Sequence, residues 1–291
     1  MTAAPAAVST RPTADRSPGS SPAHKDPARR KPQGRRRWVT ASAARFCLFI
    51  SVLPIVVTVL VAFTANWNGG PLHGGVTTAW MNDALPTFLP ALSMSAQVAA
   101  LTLLIGLPLG IPLALLLARG GVPGVGLLQW MASLPLAVPG IAVGLALGAM
   151  YPQLQRSGWL LILGHVVVTM PFLVGTLTPV LRDPDLRELE QTAATLGSGA
   201  FRRLWTVTLP HVRPALLAAI LMVLAISFGE FNLTYFIVNP AQQTLPVVLY
   251  SAFVYGQTSE GAALALWYCI TVIPLAIGLH LFGTFTVRRH K

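Results

Sequence analysis

The segment Arg182–Pro214 reads RDPDLRELEQTAATLGSGAFRRLWTVTLPHVRP, and its contrast with the apolar runs on either side decides how the chain is organised. It is the one long polar stretch between such runs. Asp183 suits a helix N-cap, with Pro184 at the first helical position. Leu186, Leu189, Ala193 and Leu196 recur at helical spacing and form one apolar stripe. Gly197 stops that helix, and Ser198 can cap a second short helix carrying Phe201, Leu204 and Trp205. Leu209-Pro210 is expected to end it, and Pro214 opens the next apolar span. A helix–glycine–helix hairpin with an exposed apolar stripe suits a groove on a partner protein.

Outward from this segment the chain reads as membrane-embedded. Of its 291 residues 54% are hydrophobic and only 10% charged, against about a quarter charged in a soluble domain. The expected class is an all-α membrane protein with six transmembrane helices, at about Phe46–Ala65, Ala91–Ala118, Leu127–Met150, Gly158–Val180, Ala215–Val238 and Ala262–Phe285. Residues 66–90 read as an external loop with a short helix, and 151–157 and 239–259 as outer loops. Residues 1–40, rich in Ala, Pro, Ser and Arg, read as a disordered basic tail, and 41–291 as the six-span domain. The tail's basic cluster, including Arg35, Arg36 and Arg37, either attracts anionic headgroups or simply holds this end on the cytoplasmic side.

The formal charge of +11 is topological rather than a nucleic-acid footprint. Ten of the twenty Lys and Arg precede residue 46, and most others flank apolar spans. With six spans, 19 fall on the side of the termini and only Arg156 on the other. The positive-inside rule then puts both termini and the 182–213 loop in the cytoplasm of an inner or plasma membrane.

Enzymatic chemistry finds no constellation here. None of Lys25, Lys31 and Lys291 follows a phosphate-cradling glycine loop, so the chain is not expected to bind ATP. Cys47 and Cys269 lie in apolar runs and read as packing residues, with no metal site expected. In the third span Pro135, Pro139, Gly140, Gly144 and Gly148 allow close helix packing or free carbonyls along a pathway. His165 reads as a packed, hydrogen-bonded residue. Glu230, within the fifth span, either lines a cavity that meets a polar or cationic solute or hydrogen-bonds between helices. Asn232, Thr234 and Tyr235 are its companions at that depth.

The 182–213 loop resembles the cytoplasmic loop of inner-membrane permease subunits of binding-protein-dependent ABC importers. That pattern is Glu-Ala-Ala, three residues, Gly, nine residues, Ile, any residue, Leu-Pro. Here Gly197, Val207 and Leu209-Pro210 fall in register, while the triplet reads Gln191-Thr192-Ala193 with the acid one place earlier at Glu190. The Pro-x-x-x-Pro-Gly of the third span resembles a segment common in the same permease family, and the FGEFN…QTLPVVLYS region resembles the end of permeases in the subgroup serving polyamines, ferric iron, thiamine, phosphonates and similar solutes. The resemblance implies the six-helix (MetI-like) permease fold and an ATPase-docking set of Glu190, Gln191, Ala193, Gly197, Phe201, Leu209 and Pro210. It implies a central solute path between two permeases, which Glu230, Asn232 and Tyr235, as polar residues at one depth of the fifth span, are expected to border. It also implies three kinds of partner: a pair of cytoplasmic ATPase subunits that bind the ATP, a second permease of the same or a different sequence, and an extracytoplasmic binding protein. The other class is a stand-alone channel or secondary transporter using Glu230. It calls for a membrane ion pair or proton relay and inverted repeats, and it has no need of the docking loop.

Overall fold

The computed structural model of the protein describes residues 34–288, and the expected tail at 1–33 lies outside them. The helices are α1 (Gly34–Phe63), α2 (Ala79–Arg119), α3 (Val125–Ala137), α4 (Gly140–Met150), α5 (Pro152–Ser157), α6 (Trp159–Leu181), α7 (Pro184–Thr195), α8 (Ala200–Arg203), α9 (Leu209–His211), α10 (Arg213–Gly229), α11 (Thr234–Ile237), α12 (Leu245–Val254) and α13 (Thr258–Arg288). Contacts divide the chain into two units, Met1–Val52 and Leu53–Lys291. The described part of the first is helix, so residues 34–40 are helical rather than part of a disordered tail. Its apolar side chains from Phe46 to Ile50 are exposed, as a lipid-facing helix requires.

Packing in the second unit fixes the direction of each helix. Val98 of α2 clusters with Leu160 and Leu161 of α6. About twenty residues on, Leu117 and Ala118 cluster with Leu177 and Leu181, a rise of roughly 30 Å, the hydrocarbon thickness. The two helices are therefore parallel, and the chain between them must cross back. It does so through α3 and α4, which meet at 100° rather than forming the straight third span expected. The break falls at Val138, which is extended because a proline follows it. α10 starts beside Leu181 through Val212 and Ala219, and the chain beyond it reaches Leu160 through Leu233, so it runs opposite to α6.

Two boundaries differ from the sequence expectation. Residues 79–90 are not loop: α2 is one helix of 41 residues. Met81, Ala84, Phe88 and Ala91 make a helical stripe against Leu245, Val248, Ala263 and Leu264 of α12 and α13. Pro86 and Pro90 are on the exposed side of that turn, where a lost N–H costs least. The fifth span is not continuous to Val238. It ends at Gly229, and Glu230 is extended (φ −71°, ψ 117°) before the short α11. α13, with 31 residues, packs its first turns on the start of α2, and Trp267 Nε1 donates to the Met81 carbonyl at 2.9 Å. Among the described residues three helices, α1, α2 and α6, are long and apolar enough to cross a membrane, and α3–α4 and the bent pair of Ala200–His211 with α10 bring the number to five if each is one crossing, a count compatible with the six expected.

Candidate functional site

The polar hairpin is built on the ends of α2 and α6. Asp183 caps α7 as expected, its carboxylate accepting the Asp185 N–H at 3.2 Å. Leu186 is fully buried in the cluster of α2, α6 and α10. It roots the hairpin and does not belong to an exposed stripe. Helix ends leave carbonyls without partners, and arginines take them here. Arg182 Nη2 donates to Leu117 O at 3.2 Å, Arg187 Nη2 to Ala118 O at 2.9 Å, and Arg119 Nη1 to Leu181 O at 3.1 Å. Arg119 Nη2 also meets both oxygens of Glu190, at 2.6 and 2.5 Å. Thr208 Oγ1 donates to the same carboxylate at 2.6 Å. Glu190, expected to face a partner, is therefore partly buried and held by its own chain.

The tip has the opposite character. Gly197 (φ +82°) ends α7, with its N–H on Ala194 O and the Ser198 N–H on Ala193 O, the paired bonds of a Schellman turn. Leu196 and Phe201 on either side of it are 83% and 76% exposed, and Leu189 and Trp205 are exposed as well. Gln191 is also exposed, and Ala193 is half-buried. The turn after Gly197 is capped at Gly199 without a side-chain bond, so Ser198 does not fill the expected role. Leu209 and Pro210 do not end the second helix either. A π-turn over Leu204–Thr208 precedes them, and helix continues to His211. Proline at 210 cannot donate to residue 206 and crowds its carbonyl, and the wider turn relieves that crowding. Leu209 packs against the buried cluster, on the inner side of the hairpin.

The second feature is the break in the fifth crossing. Glu230 Oε1 accepts the Leu233 N–H at 2.8 Å, capping the turn that starts α11. His165 of α6 is 1% exposed. Its Nδ1 lies 2.8 Å from Ser227 Oγ and its Nε2 2.8 Å from Thr234 Oγ1, so one imidazole ties both sides of the break. The glycine stripe of α4 comes against the same place. A Cβ at Gly144 would stand 2.8 Å from Leu233 O, and one at Gly148 3.2 Å from Phe236 O. Glu230 and Asn232 line a cleft of about 300 Å³ together with apolar residues of α3, α4 and α6, among them Pro135, Val138 and Val167. Tyr235 does not share that cleft. Its ring lies 5.1 Å from Tyr250, 5.2 Å from Phe236 and 5.5 Å from Phe231, in an aromatic group of its own.

Arg119, Thr208 and the bridging role of His165 were not singled out by the sequence. Their roles depend on partners 18 to 71 residues away, and local spacing carries no signal of them.

Residues 106–291 match the model of the family described as binding-protein-dependent transport system inner membrane component. A permease protein of Salmonella typhimurium, PhnV, provisionally assigned to 2-aminoethylphosphonate transport, is 30% identical over 254 residues, covering 86% of this chain and 93% of that one. The molybdenum transport system permease protein ModB of Escherichia coli K12 is 32% identical over 208 residues, covering 64% and 88%. Among solved structures, a bacterial ABC transporter involved in import of the acidic polysaccharide alginate superposes with a TM-score of 0.64, at 12% identity, over 87% of this chain and 98% of that one. At that identity the superposition speaks for the fold alone.

Proposed function

Because the chain belongs to the family of binding-protein-dependent transport system inner membrane components, we propose that its α7–α8 hairpin is the surface gripped by a cytoplasmic ATPase and that the break at Glu230 borders the solute path. The chain is a permease subunit of an ABC importer, a multi-pass membrane protein working with an ATPase, a second permease and a binding protein. The observation that carries the docking assignment is the exposed apolar tip, Leu196 and Phe201, on a hairpin whose base is fixed by ion pair and hydrogen bonds. Large exposed apolar side chains on a polar loop away from lipid mark an interaction surface.

The docking set is accordingly Gln191, Gly197 and Phe201, joined by Leu196 and Trp205. Ala193, Glu190, Leu209 and Pro210 shape the hairpin from within. The ATP is bound by the partner subunits, and this chain converts their closure into movement of its helices. Both termini and the hairpin lie in the cytoplasm, the side that carries 19 of the 20 basic residues. Glu230 and Asn232 are the residues of the path, and Tyr235 is not. The solute is a small phosphonate or related oxyanion, in keeping with the relatives' names. An aminophosphonate also carries an ammonium group, which suits the Glu230 carboxylate.

The test is purification of the tagged chain in mild detergent with identification of its stoichiometric partners. The expected result is recovery of an ATPase subunit from the wild type and its loss from Phe201→Glu, which at 76% exposure leaves the bundle intact. A folded oligomer that never carries an ATPase would return the reading to a channel or secondary transporter.

A further inference from the structure

Four elements converge on one ion pair at the base of the hairpin. Arg119 is the last residue of α2. Through Nη1 it holds the final carbonyl of α6, and through Nη2 the Glu190 carboxylate of α7. The same carboxylate holds Thr208, which is 3% exposed and sits in the π-turn leading into α10. Apolar packing around Leu186 resists separation but not sliding. A planar guanidinium whose two nitrogens are forked between the Leu181 carbonyl and the Glu190 carboxylate also fixes direction. The π-turn matters for the same reason: it lies within the segment Ala200–His211, which meets α10 at 79° across Val212, and Thr208 ties that segment to α7.

We propose that Arg119 and Glu190 are positioning residues for coupling: they make the hairpin and the ends of α2, α6 and α10 move as one piece when the ATPase closes. The proposal rests on the importer reading. A hairpin held by packing alone would rock within its socket, and ATP would be hydrolysed without displacing the helices around the Glu230 cleft. Glu190 is here a transmission element rather than a contact to the ATPase, in keeping with its partly buried carboxylate and its bonds to Arg119 and Thr208.

The experiment uses the whole importer, with both permeases, ATPase and binding protein, in liposomes with 2-aminoethylphosphonate as probe solute. Uptake and ATP hydrolysis are measured together. Arg119→Gln is expected to keep the ATPase bound and hydrolysing while solute moved per ATP falls by about tenfold, within the range by which residues remote from both sites alter coupling. Arg119→Lys, which keeps the charge without the fork, should fall between that variant and wild type. Unchanged solute per ATP in Arg119→Gln overturns the proposal. So does loss of the ATPase from the complex, which would make the pair part of docking. Should Arg119→Gln fail to fold, Thr208→Val removes only the link to the π-turn. Its solute per ATP must then fall with the ATPase still bound, and an unchanged ratio overturns the proposal equally. A wild-type assembly that shows no ATP-driven uptake of the probe or of other phosphonates and oxyanions, or binds no ATPase, defeats the importer reading itself.

Discussion

At His165 one imidazole satisfies two hydroxyls on opposite sides of a helix break. Removing it does more than delete a pair of contacts. In His165→Leu, Ser227 and Thr234 lose their partner in a site closed to water, and each can recover only by turning back to its own helix. Hydrogen bonds between membrane helices average well below their value in an apolar solvent, so the loss is about 1–3 kcal/mol in total. It should appear as a lower melting temperature of the purified protein in detergent. Ser227→Ala and Thr234→Val should each lower it by less, and unchanged melting in His165→Leu would show that the break is held by other contacts. Glu230 is a different case, because Gln in its place keeps an oxygen to accept the Leu233 N–H. Glu230→Gln should therefore fold and melt like wild type. If the carboxylate borders the path, uptake slows by about tenfold, equivalent to ~1.4 kcal/mol. Equal uptake would reduce Glu230 to a helix cap. The sequence made Glu230 visible, since an acid inside an apolar run stands out. It hid the cap, because Glu230 and Leu233 look like neighbours in a continuous helix until the break is known.

At the scale of elements, α4 and α11 are fitted by the absence of side chains. The spacing of Gly140, Gly144 and Gly148 gave away a close-packing face, but not its partner. The partner is the short helix beyond Glu230, and a fifth span read as unbroken leaves no such helix to face. The same limit applied to α2, where residues 66–90 read as a loop with a short helix although the stripe Met81, Ala84, Phe88 and Ala91 continues from 79 into the span. Propensity was overridden by a surface on α12 and α13 that lies far away in sequence. In the hairpin, by contrast, Asp183 and Gly197 act locally and were legible, whereas Glu190 was read as outward-facing because its partner is Arg119. Gly144→Val tests the close packing. Its Cβ would meet the Leu233 carbonyl, a backbone atom that cannot rotate away. Overpacking of this kind costs about 1–3 kcal/mol. The expected outcome is a protein that inserts but melts earlier and loses uptake, while Gly175→Ala, with open space around its Cβ, serves as the control and behaves as wild type. Equal melting of the two variants would mean that α4 and α11 part easily.

Over the whole molecule, sidedness joins the charge count to the packing, and the two are independent. The charge count separates Arg156 from every other Lys and Arg. The packing separates the same residue by geometry: α2 and α6 run parallel and end together at Arg119 and Leu181, so the start of α6, next to Arg156, must lie at the far end of the bundle. Neither argument uses the other's data. Both depend on α3 and α4 crossing together despite their 100° bend. If that pair instead dipped into the membrane and returned, the parallel arrangement of α2 and α6 could not form. A cysteine at Arg156 and one at Val122, on either side of the α3–α4 pair, separate the possibilities, since both side chains are exposed. Cys47 and Cys269 are first replaced by Ala. In intact cells a membrane-impermeant maleimide should label Arg156→Cys, and should reach Val122→Cys only after the membrane is opened. Labelling of both from outside, or of neither, would break the third crossing and the fold with it. Labelling with the sides exchanged would keep the fold and invert the chain, moving the hairpin out of reach of any cytoplasmic ATPase.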